Sequence, residues 1–240
     1  MAKSILINSF SLCQNLNSPE KFGIDAVGNL TNNEHLHFYY VVDGHGGCRN
    51  SNILVKNFQA YVHSLKDNFA QLNNDQEDIH NFLKCLIEQF YIEHRGKLRP
   101  AAMSILMVIV SQNRIYSAHL GDCRLGKINN KQEITWITYP HNLVMSLNKE
   151  TDSQSIEMVL RSANSNIVTK SFNTRKLKSL SFNVLDIEKK STYILASDGF
   201  WKLPEKDIKT IIHNENLSGT TSLFDDTSLW AISIIECEIF

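Results

Sequence analysis

The chain has 240 residues with 42% hydrophobic content, enough to bury a substantial core, and neither figure forces a split into two domains. The 24 basic and 25 acidic residues leave a formal charge of −1, so no global basic field points to nucleic acid or an anionic membrane. The five cysteines are odd in number, widely spaced and free of any C-x-x-C pair, which disfavours a disulfide framework and a structural zinc and fits a reducing, cytoplasmic compartment.

In chain order, Met1 to Cys13 carries one Lys and a short mixed apolar stretch without a small-residue cleavage pattern, so no secretory signal is expected. Export by a route that reads other signals would look the same. His37 to Val42 is a continuous apolar run of strand type. Ile53, Leu54, Phe58, Tyr61, Val62, Leu65 and Phe69 recur at helical steps, with Asn50 or Ser51 available as N-cap. A second helix places Ile79, Phe82, Leu83, Leu86, Ile87 and Phe90 on one stripe, opened by Asp75 or Asp78. Strands are predicted over Ser104 to Val110 and Ile115 to His119, joined by a hairpin turn at Ser111-Gln112-Asn113-Arg114. Further strands follow at Ile134 to Thr138, Leu180 to Ile187, Thr192 to Ala196 and Leu229 to Ile235. Pro204 suits the first turn of a helix running through Ile208 and Ile211. No apolar run approaches the ~18–20 residues that cross a bilayer. The plan is a single α+β domain over 1–240, two sheets with helices outside.

The chemistry gathers at strand ends. Phe38-Tyr39-Tyr40-Val41-Val42 runs into Asp43-Gly44-His45-Gly46-Gly47, so a buried strand holds a carboxylate and glycines let backbone carbonyls approach a ligand. Hard cations such as Mg²⁺ and Mn²⁺ take oxygen ligands, which Asp43 and the Gly44 carbonyl offer. Tyr193 to Ala196 likewise ends in Ser197-Asp198-Gly199-Phe200-Trp201, and Asp225-Asp226-Thr227-Ser228 precedes the last apolar strand. His119-Leu120-Gly121-Asp122-Cys123-Arg124 follows the hairpin strand in the same way. Asp43, Asp198 and Asp225 therefore suggest one shared site. His35 and His37 read as a solvated strand face, Cys123 as a small buried residue, Trp201 as core and Arg124 as a brace for Asp122 or a nearby loop.

In these ordered motifs the sequence resembles the metal-dependent protein phosphatases of type 2C, from about residue 20 to the C-terminus. Gly121-Asp122-Cys123-Arg124 stands for the usual Gly-Asp-Ser-Arg and Asp225-Asp226-Thr227-Ser228 for Asp-Asn-x-Ser/Thr. The resemblance implies a four-layer α-β-β-α sandwich with two central antiparallel sheets. It also implies a phosphoserine/phosphothreonine phosphatase with two Mg²⁺ or Mn²⁺ ions, in which a metal-bridging water attacks phosphorus. By position, Asp43 would bridge the metals, Asp198 and Asp225 would hold the first, the Gly44 carbonyl would serve the second, and His45 would be the general acid. A monomer acting on a phosphoprotein, without nucleic acid or membrane, is the expected assembly.

Three departures stand out. The family's N-terminal acidic and phosphate-binding residues have two possible registers. In one Glu20-Lys21 replaces the acidic pair. In the other, which is preferred, Asp25 of Gly23-Ile24-Asp25-Ala26 is the acid, Lys21 replaces the phosphate-binding Arg as a point charge, and a polar turn at Thr31 to Glu34 leads back to the strand of Asp43. Secondly, Lys202 stands where the family has an Asp that holds a third metal with the Gly-Asp carboxylate. An ammonium cannot ligate a cation, so Lys202 is expected to pair with Asp122 and leave the third site doubtful. Thirdly, Ala102-Met103-Ser104 replaces a Gly-Ser/Thr strand start. The alternative to an active enzyme is a weak or inactive family member serving as a phosphoprotein-binding scaffold; a metal-free structural domain is disfavoured by the cost of clustered carboxylates.

Overall fold

The computed structural model describes residues 3–14, 24–32, 36–45, 49–147, 157, 160, 163–217 and 225–238. The first half of the chain forms β1 (Lys3–Gln14), β2 (Asp25–Thr31), β3 (His37–His45), α1 (Arg49–Ser64), α2 (Lys66–Ala70), α3 (Gln76–His94), β4 (Ala102–Val110) and β5 (Arg114–Leu120). The second half forms β6 (Arg124–Ile128), β7 (Ile134–Trp136), α4 (Leu143–Leu147), β8 (Phe172–Asn173), β9 (Ser181–Asp186), β10 (Thr192–Ala196), α5 (Asp198–Trp201), α6 (Glu205–Asn214) and β11 (Thr227–Glu238). One sheet has the order β1-β11-β10-β6-β7; the other runs β2-β3-β4-β5-β9, with β8 on the end of β4. Every pairing within them is antiparallel.

Because side chains alternate across a strand, the continuous apolar runs divide between two faces. Phe38, Tyr40 and Val42 of β3 join Phe58 of α1 and Phe90 of α3 in an outer core, while Tyr39 and Val41 join Leu195 and Trp230 in a core between the sheets. Ile194 and Ala196 of β10 face the other way, onto Phe200 of α5 and Ile208 and Ile211 of α6. Three cores separate four layers, which is the expected α-β-β-α sandwich.

The expected hairpin closes through Val110 opposite Ile115, with the Ser111 amide donating to the Arg114 carbonyl at 2.9 Å. Asp75 caps α3, its Oδ1 accepting from the amides of Glu77 and Asp78. Pro204 sits one position before the first turn of α6, as its N-cap. The single helix expected through Phe69 breaks at Leu65 into α1 and α2. Helical spacing continues across the break because Leu65 still packs on the same core. The strand β1 is a sheet edge whose described side chains are exposed or half-buried, so its apolar alternation is too weak to mark it as a strand in the sequence. Among the described residues no helix is long and apolar enough to cross a membrane.

His119 of β5 and His141, after β7, stack with ring centroids 4.5 Å apart. The His141 Nδ1 accepts from the Gly121 amide at 3.1 Å, which requires that nitrogen to be unprotonated. Burial holds the pKa of His119 down to about 4 and of His141 down to about 3. Between pH 6.5 and 4 the unfolded chain therefore binds more protons at these sites than the folded one, and stability is lost as pH falls. The stability advantage of wild type over His119→Asn, followed by thermal denaturation, should shrink across that range by up to about 3 kcal/mol. A gap that stays constant would show that burial does not keep His119 neutral.

Candidate active site

The same alternation delivers the carboxylates. Tyr39 and Val41 face the inter-sheet core, so Asp43, two residues on, points to that side where the sheets diverge. Val27 of β2 packs on the same core, which places Asp25 on that face as well, directly opposite Asp43 in the β2–β3 register. Ser104 of β4 lies opposite Asp43 on the other flank. From the second sheet, Leu195 and Trp230 face inward, so Ser197, Ser228 and Asp226 follow them to the same end. There α5 begins with Asp198, and Asp225 lies just ahead of β11. Gly199 permits this junction, since a Cβ there would lie 2.0 Å from the Asp226 carbonyl oxygen.

The electrostatics record the clustering. Burial first, then the charges of Asp25, Asp198, Asp122 and Asp225, push the Asp43 carboxyl well above the usual carboxylate range. Burial raises Asp25 to about 7, with Asp198 and Asp226 adding to it while the Ser197 and Ser228 hydroxyls pull the other way. Asp122 is raised by burial, partly offset by His45. Such a set of oxygens suits a hard cation, because a cation would relieve both the desolvation and the mutual repulsion. Asp43, His45 and Asp122 each present one ligand atom within 4.8 Å of the others. Of these, only Asp43 belongs to the metal set read from the sequence.

Ser104 connects His45 to Asp122. Its Oγ donates to Asp122 Oδ1 at 2.6 Å, accepts from the Asp122 amide at 2.9 Å, and lies 2.5 Å from His45 Nε2. A hydroxyl has one proton to give; with that proton on Asp122, His45 Nε2 is the donor to Ser104. The other ring nitrogen, Nδ1, then faces Asp43 Oδ2 at 3.8 Å. Ser51 holds the loop end by donating to the His45 carbonyl at 2.5 Å, and Trp201, buried as expected, donates from Nε1 to the Asp122 carbonyl at 2.8 Å.

Lys202 takes a different partner from the one expected. Its Nζ lies 2.6 Å from Asp198 Oδ2 and 2.6 Å from Asn166 Oδ1, and its charge reaches Asp122 only as a minor influence. The cause is local: α5 sets Asp198 and Lys202 four residues apart on one helical turn, where side chains meet. Arg124 is fully buried and braces a loop, donating to the Thr138 carbonyl at 3.0 Å and forking onto Glu157 at 2.7 and 2.9 Å. Cys123 is fully buried, and burial pushes its thiol pKa well up, as suits a small core residue. Lys21, Glu20, Gly46, Gly47 and His35 lie outside the described residues. The sequence places Ser104 in a strand start and Asp226 in a motif, but it assigns neither of them, nor Asn166, a role in the site. The strand register would have revealed Ser104, had the β3–β4 pairing been known.

Solved structures share this architecture. A serine/threonine phosphatase from S. agalactiae matches with a TM-score of 0.70 at 18% identity, covering 95% of this chain and 99% of its own. Stp1 from Staphylococcus aureus matches with a TM-score of 0.72 at 18% identity, covering 95% of each. The catalytic domain of the phosphatase PstP, in complex with two manganese ions, matches with a TM-score of 0.68 at 14% identity over 98% of this chain and 100% of its own. No curated protein sequence matches. The sequence profile of protein phosphatase 2C, however, matches residues 8–150, a span that holds Asp25, Asp43, His45, Ser104 and Asp122 as arranged above. With the layered fold and the carboxylate cluster in place, that match assigns the chain to the protein phosphatase 2C family.

Proposed function

We propose that the chain is a divalent-cation-dependent phosphatase for phosphoserine and phosphothreonine in proteins, acting through one domain spanning residues 1–240. The observation that carries this reading is the convergence of Asp43, Asp198, Asp225 and Asp122 at one end of the inter-sheet core, beside His45. Asp43, Asp198 and Asp225, with the Gly44 carbonyl, would hold two Mg²⁺ or Mn²⁺ ions, and Asp25 would support them from the paired strand. Bound there, the cations acidify water and neutralise phosphoryl oxygens. The residues of the chain do the rest. Ser104 holds the His45 ring through Nε2, which leaves Nδ1 as the nitrogen that, in the imidazolium form, would deliver a proton to the leaving serine or threonine alkoxide. Lys21, by its place in the family motif, would meet the phosphate as a point charge.

The test is hydrolysis of a phosphothreonine peptide with Mn²⁺ and with EDTA. Turnover in Mn²⁺ that EDTA abolishes is expected, and turnover indifferent to EDTA would overturn the reading.

A second reading, a weak family member that chiefly binds phosphoproteins, is favoured by one contact, the Lys202 ammonium on Asp198. That ammonium competes with a cation for the carboxylate. Lys202→Ala is therefore expected to tighten Mn²⁺ binding about ten-fold by calorimetry, and Lys202→Asp to raise kcat as well. Unchanged affinity in both variants would leave the ion pair without influence on the site.

A further inference from the structure

A cavity of about 310 Å³ opens beside His45, lined by His45, Ser51, Pro100, Ala102, Asn173 and Arg175 among others. At that size it accepts a side chain of a bound peptide, and it shares His45 with the site above. Its floor is rigid. The Ser51 hydroxyl, fully buried, donates to the His45 carbonyl and accepts from the Ala102 amide at 3.2 Å, and Asn173 pairs with Ala102 as β8 meets β4.

Among the described residues that line the cavity, Arg175 is the one Lys or Arg. The two segments that supply the lining beyond His45 and Ser51, 94–104 and 171–180, carry Arg95, Lys97, Arg99, Arg175, Lys176 and Lys178 but no Asp or Glu, so no acidic residue of either segment opposes that charge. The Arg175 backbone is clamped. Its amide donates to Asn173 Oδ1 at 3.1 Å, its carbonyl accepts from Tyr91 Oη at 3.2 Å, and the Thr174 carbonyl before it accepts from the Gly96 amide at 2.9 Å. The side chain is exposed, and no ion pair among the described residues engages its guanidinium. A fixed anchor with an uncommitted planar fork is suited to bidentate capture of a carboxylate or phosphate.

We infer that Arg175 is a specificity residue, which selects substrates carrying an anionic side chain close to the phosphorylated residue. The inference rests on the phosphatase reading for its substrate class. An acidic neighbour seated on Arg175 lies beside His45, so the phosphoryl group of the same peptide is brought to the Asp43 cluster. Either a carboxylate or a second phosphate monoester meets this chemistry.

The experiment measures binding and turnover separately. Fluorescein-labelled phosphothreonine peptides carrying Ala, Glu or phosphoserine in the two positions on either side are titrated by anisotropy against the full chain in Mn²⁺, and their hydrolysis is followed in parallel. Wild type is expected to bind at least one anionic peptide about three- to ten-fold more tightly than the Ala peptide. Arg175→Ala should bring that ratio to near one, and Arg175→Glu should favour a Lys-flanked peptide. The Glu and phosphoserine arms show which anion is read. Equal affinity for all peptides in wild type, or a ratio that survives in a folded Arg175→Ala, would overturn the inference. Discrimination in binding without turnover would instead overturn the phosphatase reading and leave Arg175 as the selective cation of a binding module.

Discussion

Asp43→Asn is expected to lower kcat for a phosphothreonine peptide by ~10³ or more while raising the melting temperature measured in EDTA. Both effects have one cause. Asp43 sits where burial and four neighbouring carboxylates disfavour its charge. In the absence of a cation, removing that charge relieves repulsion and the fold gains stability. With Mn²⁺ present, the same substitution removes a ligand shared by the site, and the stabilisation that bound metal gives wild type should shrink. Asp198→Asn should behave alike in activity, but it also releases Lys202 from its 2.6 Å contact, so its stability gain should be smaller. Wild-type rates in either variant would mean that these strand ends are turns without chemistry. Lost activity with an unchanged response of melting temperature to Mn²⁺ would separate a positioning role from a ligand role.

Gly121→Ala is expected to destabilise the fold by about 3 kcal/mol or more and to reduce activity in the protein that remains folded. Two independent costs combine. Gly121 has φ of +118°, a conformation that side chains disfavour. A Cβ there would also lie 1.9 Å from Ser104 Oγ and 2.6 Å from its Cα. The backbone of β4 cannot yield that space without shifting the serine that joins His45 Nε2 to Asp122. Thermal denaturation gives the stability, and the pH profile of kcat reports on His45. A folded Gly121→Ala enzyme with a wild-type pH profile would show that the Ser104 link does not govern the His45 proton. Ser104→Ala isolates that link without the backbone cost, and it should move the profile with little loss of stability beyond that of one buried hydrogen bond, about 1 kcal/mol.

By itself the sequence determined the local grammar of this protein. Apolar runs ending in Asp43-Gly44 and Ser197-Asp198-Gly199, and Asp225 ahead of the last strand, point to one candidate cation site because the same strand-end carboxylate recurs three times in one chain. The stripes of α1 and α3 and the hairpin of β4 and β5 are equally local, since each depends on spacing within one segment. Tertiary structure alone decided which side chains meet across strands. Ser104 lies opposite Asp43 and next to Asp122 only through the β3–β4 register and the turn at Gly121. Arg175 reaches the His45 cavity only because two residues of β8 pair with the start of β4. Lys202 marks the boundary between the two. Its contact with Asp198 follows from four-residue spacing on a helix, yet Asp198 to Trp201 is too short a segment to declare itself helical by periodicity. The partner of Lys202 became legible only once packing against β10 and β11 had folded that turn.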